Sequence, residues 1–248
     1  MVLLSYIGGK NRIAQKIASH IPADVRTIVS PFFGAGSVEF LCAMNGKQVI
    51  GYDIFPELVN FWQQLKLFPA MIAIAIEKLI PISKEMYRHC RQTNDNDPFA
   101  QAVNFFVVNK CSFNGIMSGS YSPALGNQFS NSPKHIRRFS YPDGLSVSVR
   151  NFPDAIKAHP AEFLFLDPPY FEINKTYGFH GEFSEIDHEL LACLLEQHPQ
   201  KWLLLYNDHP HIRDRYKKYV ITELESRYSS NRAGAQLLIT NFTTTSSY

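Results

Sequence analysis

Long apolar runs are missing from this 248-residue chain. None approaches the ~18 uninterrupted apolar residues of a membrane helix, so a membrane span is not expected. The four cysteines, Cys42, Cys90, Cys111 and Cys193, form no CxxC pair. That scatter predicts reduced, buried thiols rather than a zinc site or a disulfide framework, and no metal. No basic stretch or small-residue cleavage site marks the opening MVLLSYIGGKNR, so no signal peptide is expected and the cytoplasm is the default. Internal repeats are absent, and so is the GxxxxGK[ST] pattern of a phosphate-cradling P-loop. Charge is sparse as well, at 19% of residues with a net of +2. These absences leave an ordinary globular chain of one domain, or one domain with an insertion.

The charge that is present is uneven. Residues 61–150 hold ten Lys/Arg against five acids, a net of +5, which leaves −3 for the flanks. A basic middle in an acidic frame fits one part facing phosphate.

The apolar pattern resolves into α/β units. Residues 11–21 have helical spacing and end at Pro22. The β-branched stretch 26–30 predicts a strand running into Pro31-Phe32-Phe33-Gly34-Ala35-Gly36, then a helix from Ser37, then a second strand ending at Asp53. Residues 60–92 and 99–108 predict amphipathic and apolar helices. From 112 to 148 the chain is rich in Ser, Asn, Gly and Pro without a sustained period, and is expected to be loop. The α/β pattern resumes with strands at 162–166 and 201–206 around a helix at 190–195. It ends in an antiparallel hairpin of 220–227 and 235–242. The expected fold class is therefore α/β, a doubly wound mixed sheet, Rossmann-like, with a mainly helical and loop insertion. Residues 1–60 and 151–248 would form the cofactor domain and 61–150 the insertion.

Two motifs carry chemistry. Gly34 and Gly36 allow close backbone approach to a ligand, and Asp53 ends the next strand 17 residues after Gly36, placed to accept ribose hydroxyls. A dinucleotide fingerprint would want glycine or alanine where Glu39 stands. A carboxylate there argues for a nucleoside ligand without phosphates, such as S-adenosylmethionine. A plain tight turn with a surface aspartate fits the same spacing. Asp167-Pro168-Pro169-Tyr170 follows a wholly apolar strand. Its rigid turn presents a carboxylate, the Pro168 carbonyl and a flat ring, a set suited to the exocyclic amine of a planar base.

These motifs, with Tyr6-Ile7-Gly8-Gly9-Lys10, Asn109 to Gly115 (NKCSFNG) and the C-terminal Tyr206-Asn207-Asp208-His209, resemble the Dam-type DNA adenine-N6 methyltransferases. The motif order, with the glycine turn first, then the insertion, then DPPY, matches the alpha arrangement of the D12 class. The resemblance covers both ends of the chain and thins to NKCSFNG in the insertion. It implies S-adenosylmethionine as cofactor, with Tyr6, Lys10, Phe32, Gly34, Gly36, Asp53 and Asp167 at its site, and Asp167, Pro168, Pro169 and Tyr170 at the target base. It implies methyl transfer to the N6 amine of an adenine flipped out of double-stranded DNA. It further implies a bacterial or phage-encoded enzyme acting as a monomer or beside a restriction endonuclease. Within the insertion, Lys134, Arg137, Arg138 and Asn114 are the expected DNA contacts, with Ser118, Ser120, Tyr121, Asn127 and Gln128 able to read base edges or phosphates.

The sequence departs from the family twice. Ser30 stands where an acid usually precedes Pro-Phe. Ile116-Met117-Ser118-Gly119-Ser120 replaces the arginine and Pro-aromatic-Gly segment of members that read GATC, so that specificity is not carried over. Cytosine-N4 or RNA adenine methylation, a non-catalytic DNA-binding relative and a nicotinamide oxidoreductase are the rival functions. The Asp heading the tetrad favours adenine over cytosine, and Glu39 disfavours the oxidoreductase.

Overall fold

A computed structural model describes every residue except 1–2, 6–9, 11–12, 94–95, 113–114, 116, 173–182, 228–232 and 244–248, with backbone alone at 225–227 and 233–235. Seven strands form one sheet: β1 (Thr27–Ser30), β2 (Gln48–Asp53), β3 (Leu145–Val149), β4 (Phe163–Leu166), β5 (Trp202–Asn207), β6 (Val220–Arg227) and β7 (Ala233–Thr240), in the order β3-β2-β1-β4-β5-β7-β6. The strands β1 to β5 run parallel, and β7 pairs antiparallel with both β5 and β6. The mixed doubly wound sheet expected from the sequence is thus present, and its closing hairpin places β7 inside and β6 at the edge. Strand order reverses between β1 and β4, and ligands of open α/β sheets bind at such a point, at the carboxyl ends of the strands.

Helices cover the sheet. α1 (Ala14–Ala18) packs on α2 (Ser37–Met44), which lies over β2. Next come α3 (Pro56–Leu67), α4 (Pro69–Lys78), α5 (Lys84–Gln92), α6 (Pro98–Cys111), α7 (Pro123–Gln128) and α8 (Ser132–Arg138). The remaining helices are α9 (Phe152–Ala158), α10 (Glu185–Gln197) and α11 (Pro210–Arg215). Proline at the first turn starts several of them, where its missing N–H costs nothing. The helical stretch expected over 60–92 divides among three helices, with breaks at Phe68 and around the cis Ile80–Pro81 bond.

Residues 112–148, expected as loop, contain α7, a 3₁₀ turn (Phe129–Asn131), α8 and most of β3. β3 therefore belongs to the sheet and not to the insertion. Its Leu145-Ser146-Val147-Ser148-Val149 alternation starts as a half-buried edge strand, with Leu145 and Val147 inward. From α3, Gln63 and Lys66 donate to the carbonyls of Val147 (2.9 Å) and Leu145 (2.8 Å). Three cysteines are buried as expected, whereas Cys193 is exposed. One apolar core runs from the sheet face bearing Ile28, Phe33 and Leu203 through Phe40, Phe61 and Trp62 into Phe105 and Phe106 of α6. A second core, with Val29, Leu164, Leu166 and Trp202, fills the opposite face.

Candidate active site

The residues singled out in the two sequence motifs gather where β1, β2, β4 and β5 end. After β1 the chain turns sharply: Gly34 and Gly36 sit at φ +51° and +65°. A Cβ at Gly36 would lie 2.7 Å from the Phe33 ring and 2.8 Å from that of Phe40, so position 36 requires glycine twice over. Gly51 on β2 makes the room for Phe33, since a Cβ there would come within 2.3 Å of its ring. The turn is pinned from three sides. Phe33 N–H donates to the Tyr52 carbonyl (2.9 Å), Trp62 Nε1 donates to the Gly34 carbonyl (3.0 Å), and Gly34 N–H donates to Asp53 Oδ2 (2.8 Å). Phe55 N–H donates to the other Asp53 oxygen at 3.0 Å. Asp53 is thereby buried and fixed. Phe32 is half-buried, stacked on Phe152 at 5.4 Å with Phe183 edge-on at 5.6 Å.

Asp167 follows β4 directly. Its Oδ2 lies 2.8 Å from Lys10 Nζ, in a pair whose side chains are 22% and 4% exposed, respectively. Burial raises the Asp167 pKa, and the Lys10 ammonium opposes that rise by charge and hydrogen bond. The same Nζ is 4.9 Å from the centroid of the buried Tyr170 ring, a cation–π contact. Tyr170 meets Tyr206 of β5 at 6.4 Å. Pro168 is buried and Pro169 half-buried. Around this turn Phe171 stacks on His211 (4.6 Å, 10°) and its carbonyl accepts from Asn207 Nδ2 at 3.3 Å. His188 Nδ1 is 2.6 Å from the Tyr206 hydroxyl, and burial lowers the His188 pKa to about 4.

Of the expected site residues, Lys10, Phe32, Gly34, Gly36, Asp53, Asp167, Pro168, Pro169 and Tyr170 therefore share this edge. Tyr6 and Asn114 lie outside the described residues. Three residues with a part in this edge were not picked out by sequence. Trp62 anchors the glycine turn. Asn109 of the NKCSFNG segment is buried, accepts from Ser5 N–H (2.9 Å) and donates to the Ser5 carbonyl (2.8 Å), tying the insertion to the chain just ahead of Lys10. Gly115 allows the approach, because a Cβ there would sit 2.1 Å from the Ser5 oxygen. Glu39 is buried in the first turn of α2 and accepts from Ser30 Oγ at 2.7 Å; the sequence pointed to it only as an obstacle to phosphate.

The insertion's basic residues divide. Lys134 and Arg138 are exposed on α8. Arg137 is exposed too, but its guanidinium holds Glu77 of α4 at 2.6 Å. Lys66 binds the Leu145 carbonyl, Lys110 donates to Ser5 Oγ (3.3 Å), Arg91 to the Gly119 carbonyl (3.1 Å), and Arg150 lies over Tyr52. Half of the ten cations thus have internal partners. Tyr121 donates to the Ile82 carbonyl at 2.6 Å, a structural contact rather than a reading one. Ser118, Ser120, Asn127 and Gln128 remain exposed. Among the described residues no group of three or more His, Cys, Asp or Glu could hold a metal, and no helix is long and apolar enough to cross a membrane.

Residues 6–230 match the family described as D12 class N6 adenine-specific DNA methyltransferase. The chain is 23% identical over 252 residues to the type II methyltransferase M.CviBI of Paramecium bursaria Chlorella virus NC1A, covering 96% of each. It is 25% identical over 253 residues to the DNA adenine methylase of Vibrio cholerae serotype O1, covering 94% of this chain and 90% of that one. Among solved structures, an rRNA methyltransferase from Streptomyces viridochromogenes overlays with a TM-score of 0.44 at 14% identity, covering 96% of this chain and 87% of its own.

Proposed function

The chain belongs to the D12 class of N6 adenine-specific DNA methyltransferases, and from that premise we propose which of its residues perform the methylation. The protein is an adenine-specific DNA methyltransferase that uses S-adenosylmethionine. The observation that carries our assignment is the meeting of Lys10, Asp167 and Tyr170 at the end of β4, beside the pinned glycine turn.

The geometry fits the cofactor. Asp53, fixed by the Gly34 and Phe55 N–H groups at the end of β2, is the carboxylate placed to accept ribose hydroxyls, and the tight Gly34–Gly36 turn admits close backbone approach. Bound there, S-adenosylmethionine supplies a methyl group already activated by its sulfonium. Asp167 and the Pro168 carbonyl are the acceptors for the two hydrogens of the adenine amine, which orients the nitrogen lone pair for attack. No strong base is called for. The chain contributes positioning and a preset field, both effective at a buried edge. Lys10 already engages Asp167 Oδ2 and lies over the Tyr170 ring, so the incoming base shares both groups with the ammonium. Unstacking the adenine costs a few kcal/mol, offset by these contacts.

Target recognition falls to the insertion, with Lys134 and Arg138 of α8 as phosphate contacts and Arg137 a lesser one while Glu77 holds it. The enzyme works in the cytoplasm, as a monomer or beside a restriction endonuclease. The test is Asp167→Ala: transfer of labelled methyl from S-adenosylmethionine to DNA should fall by at least about 10³-fold, the scale of removing a preorganised electrostatic group, with the cofactor still bound. Retained transfer would remove Asp167 from the reaction.

A further inference from the structure

We infer that Glu39, held on Ser30 at the start of α2, is the carboxyl group that answers the positive charge of the cofactor, and that it loses its proton when the cofactor binds. The inference rests on the assignment of this edge as the S-adenosylmethionine site.

The geometry behind it is a count of charges at one buried edge. Glu39, Asp53 and Asp167 bring three carboxyl groups there. Among the described residues Lys10 brings one ammonium, and that is in contact with Asp167. Glu39 is 3% exposed and receives the Ser30 hydroxyl at 2.7 Å. It sits in the first turn of α2, where a negative charge is favoured. That donor and that position prepare the site for a carboxylate. Burial and the Asp167 charge act against it and hold the proton on Glu39 up to about pH 8. The remaining neighbours do not resolve the conflict. On α2 the Cys42 thiol is itself pushed up to about 12 by burial and by Glu39. Asp53 faces the Gly34 N–H, α1 meets α2 through Ala14 and Ile17 with Lys16 exposed and His20 bonded back to the Lys16 carbonyl, and α3 presents Trp62. What would resolve it is a cation arriving in the pocket, and S-adenosylmethionine brings a sulfonium and an α-ammonium. The carboxyl absent from position 30 is thus supplied from position 39.

Linkage sets the sign. A group that is protonated in the empty protein and ionised in the complex makes binding tighten as pH rises towards its empty-state pKa. Calorimetric titration with S-adenosylmethionine at pH 6.5, in two buffers of different ionisation enthalpy, keeps the ligand's own ammonium protonated. The expected result is release of about one proton per ligand, and an affinity that strengthens about tenfold per pH unit between about pH 6 and 7.5. Glu39→Gln should abolish both. That variant should fold, because it replaces a carboxyl that the empty interior keeps neutral. Ser30→Ala keeps the carboxyl but removes a donor to its ionised form, and should move the affinity profile to higher pH. A parallel titration with S-adenosylhomocysteine, whose sulfur is neutral, locates the charge: release with S-adenosylmethionine alone puts Glu39 opposite the sulfonium, and release with both puts it opposite the α-ammonium. Binding without proton release, or equal release from Glu39→Gln, overturns the inference and leaves the cofactor site standing. Failure of the wild-type protein to bind S-adenosylmethionine overturns the cofactor site itself.

Discussion

Lys10–Asp167 and Arg137–Glu77 are ion pairs of similar length, 2.8 and 2.6 Å, in opposite settings. Lys10 is 4% exposed at the carboxyl edge of the sheet, whereas Arg137 and Glu77 are 44% and 57% exposed on the insertion. Inside, the charges act at short range with little screening, and Lys10 changes the protonation of its partner. Outside, water and salt weaken the pair, and a phosphate can compete for the guanidinium. The outer arginine thus holds an exposed acid low, whereas the inner lysine only opposes a rise that burial imposes.

That contrast can be broken most forcefully at Lys10. Lys10→Met removes the charge that opposes the rise burial imposes on the Asp167 pKa, so the acid limb of the pH–rate profile should move to higher pH. An unmoved limb would put the inner pair on the same footing as the outer one. The join between the two regions comes next. Asn109→Ala leaves both backbone groups of Ser5 without their side-chain partner and should destabilise the protein by about 1–3 kcal/mol in denaturant titration. Faster amide exchange at Ser5 should accompany that destabilisation. The smallest effect belongs to the surface. Lys134→Ala with Arg138→Ala should weaken DNA binding and lower the slope of log affinity against log salt by about 2, one for each phosphate that the protein no longer neutralises. Arg137→Ala should change it less, and an equal change would mean that Glu77 releases Arg137 on DNA.

The two regions also differed in how far they could be read in advance. At the sheet edge, glycines at 34 and 36, an acid ending β2 and a DPPY tetrad after an apolar strand each have one strong local cause, so their placement was legible. Lys10 was legible as a site residue, yet its contact with Asp167 joins positions 157 residues apart, and no period records such a pairing. Glu39 was visible only as a charge out of place, because its reason lies across the turn at Ser30. In the insertion, composition misled. The Ser/Asn/Gly/Pro richness of 112–148 hid short helices that start at proline and an edge strand whose alternation spans five residues. The +5 charge counted Lys66, Arg91, Lys110, Arg137 and Arg150 as if all faced outward, and each has a partner within the protein.

The continuous core beneath the insertion has a consequence for engineering. Phe105 and Phe106 of α6 stack against Phe61, which touches Trp62, and Trp62 anchors the glycine turn. The insertion is therefore not a cartridge that can be unplugged and replaced by a relative's. Its aromatic underside is the floor on which the glycine turn stands, and a graft that left that turn undisturbed would have to begin above that floor, on α8 and the loops around it.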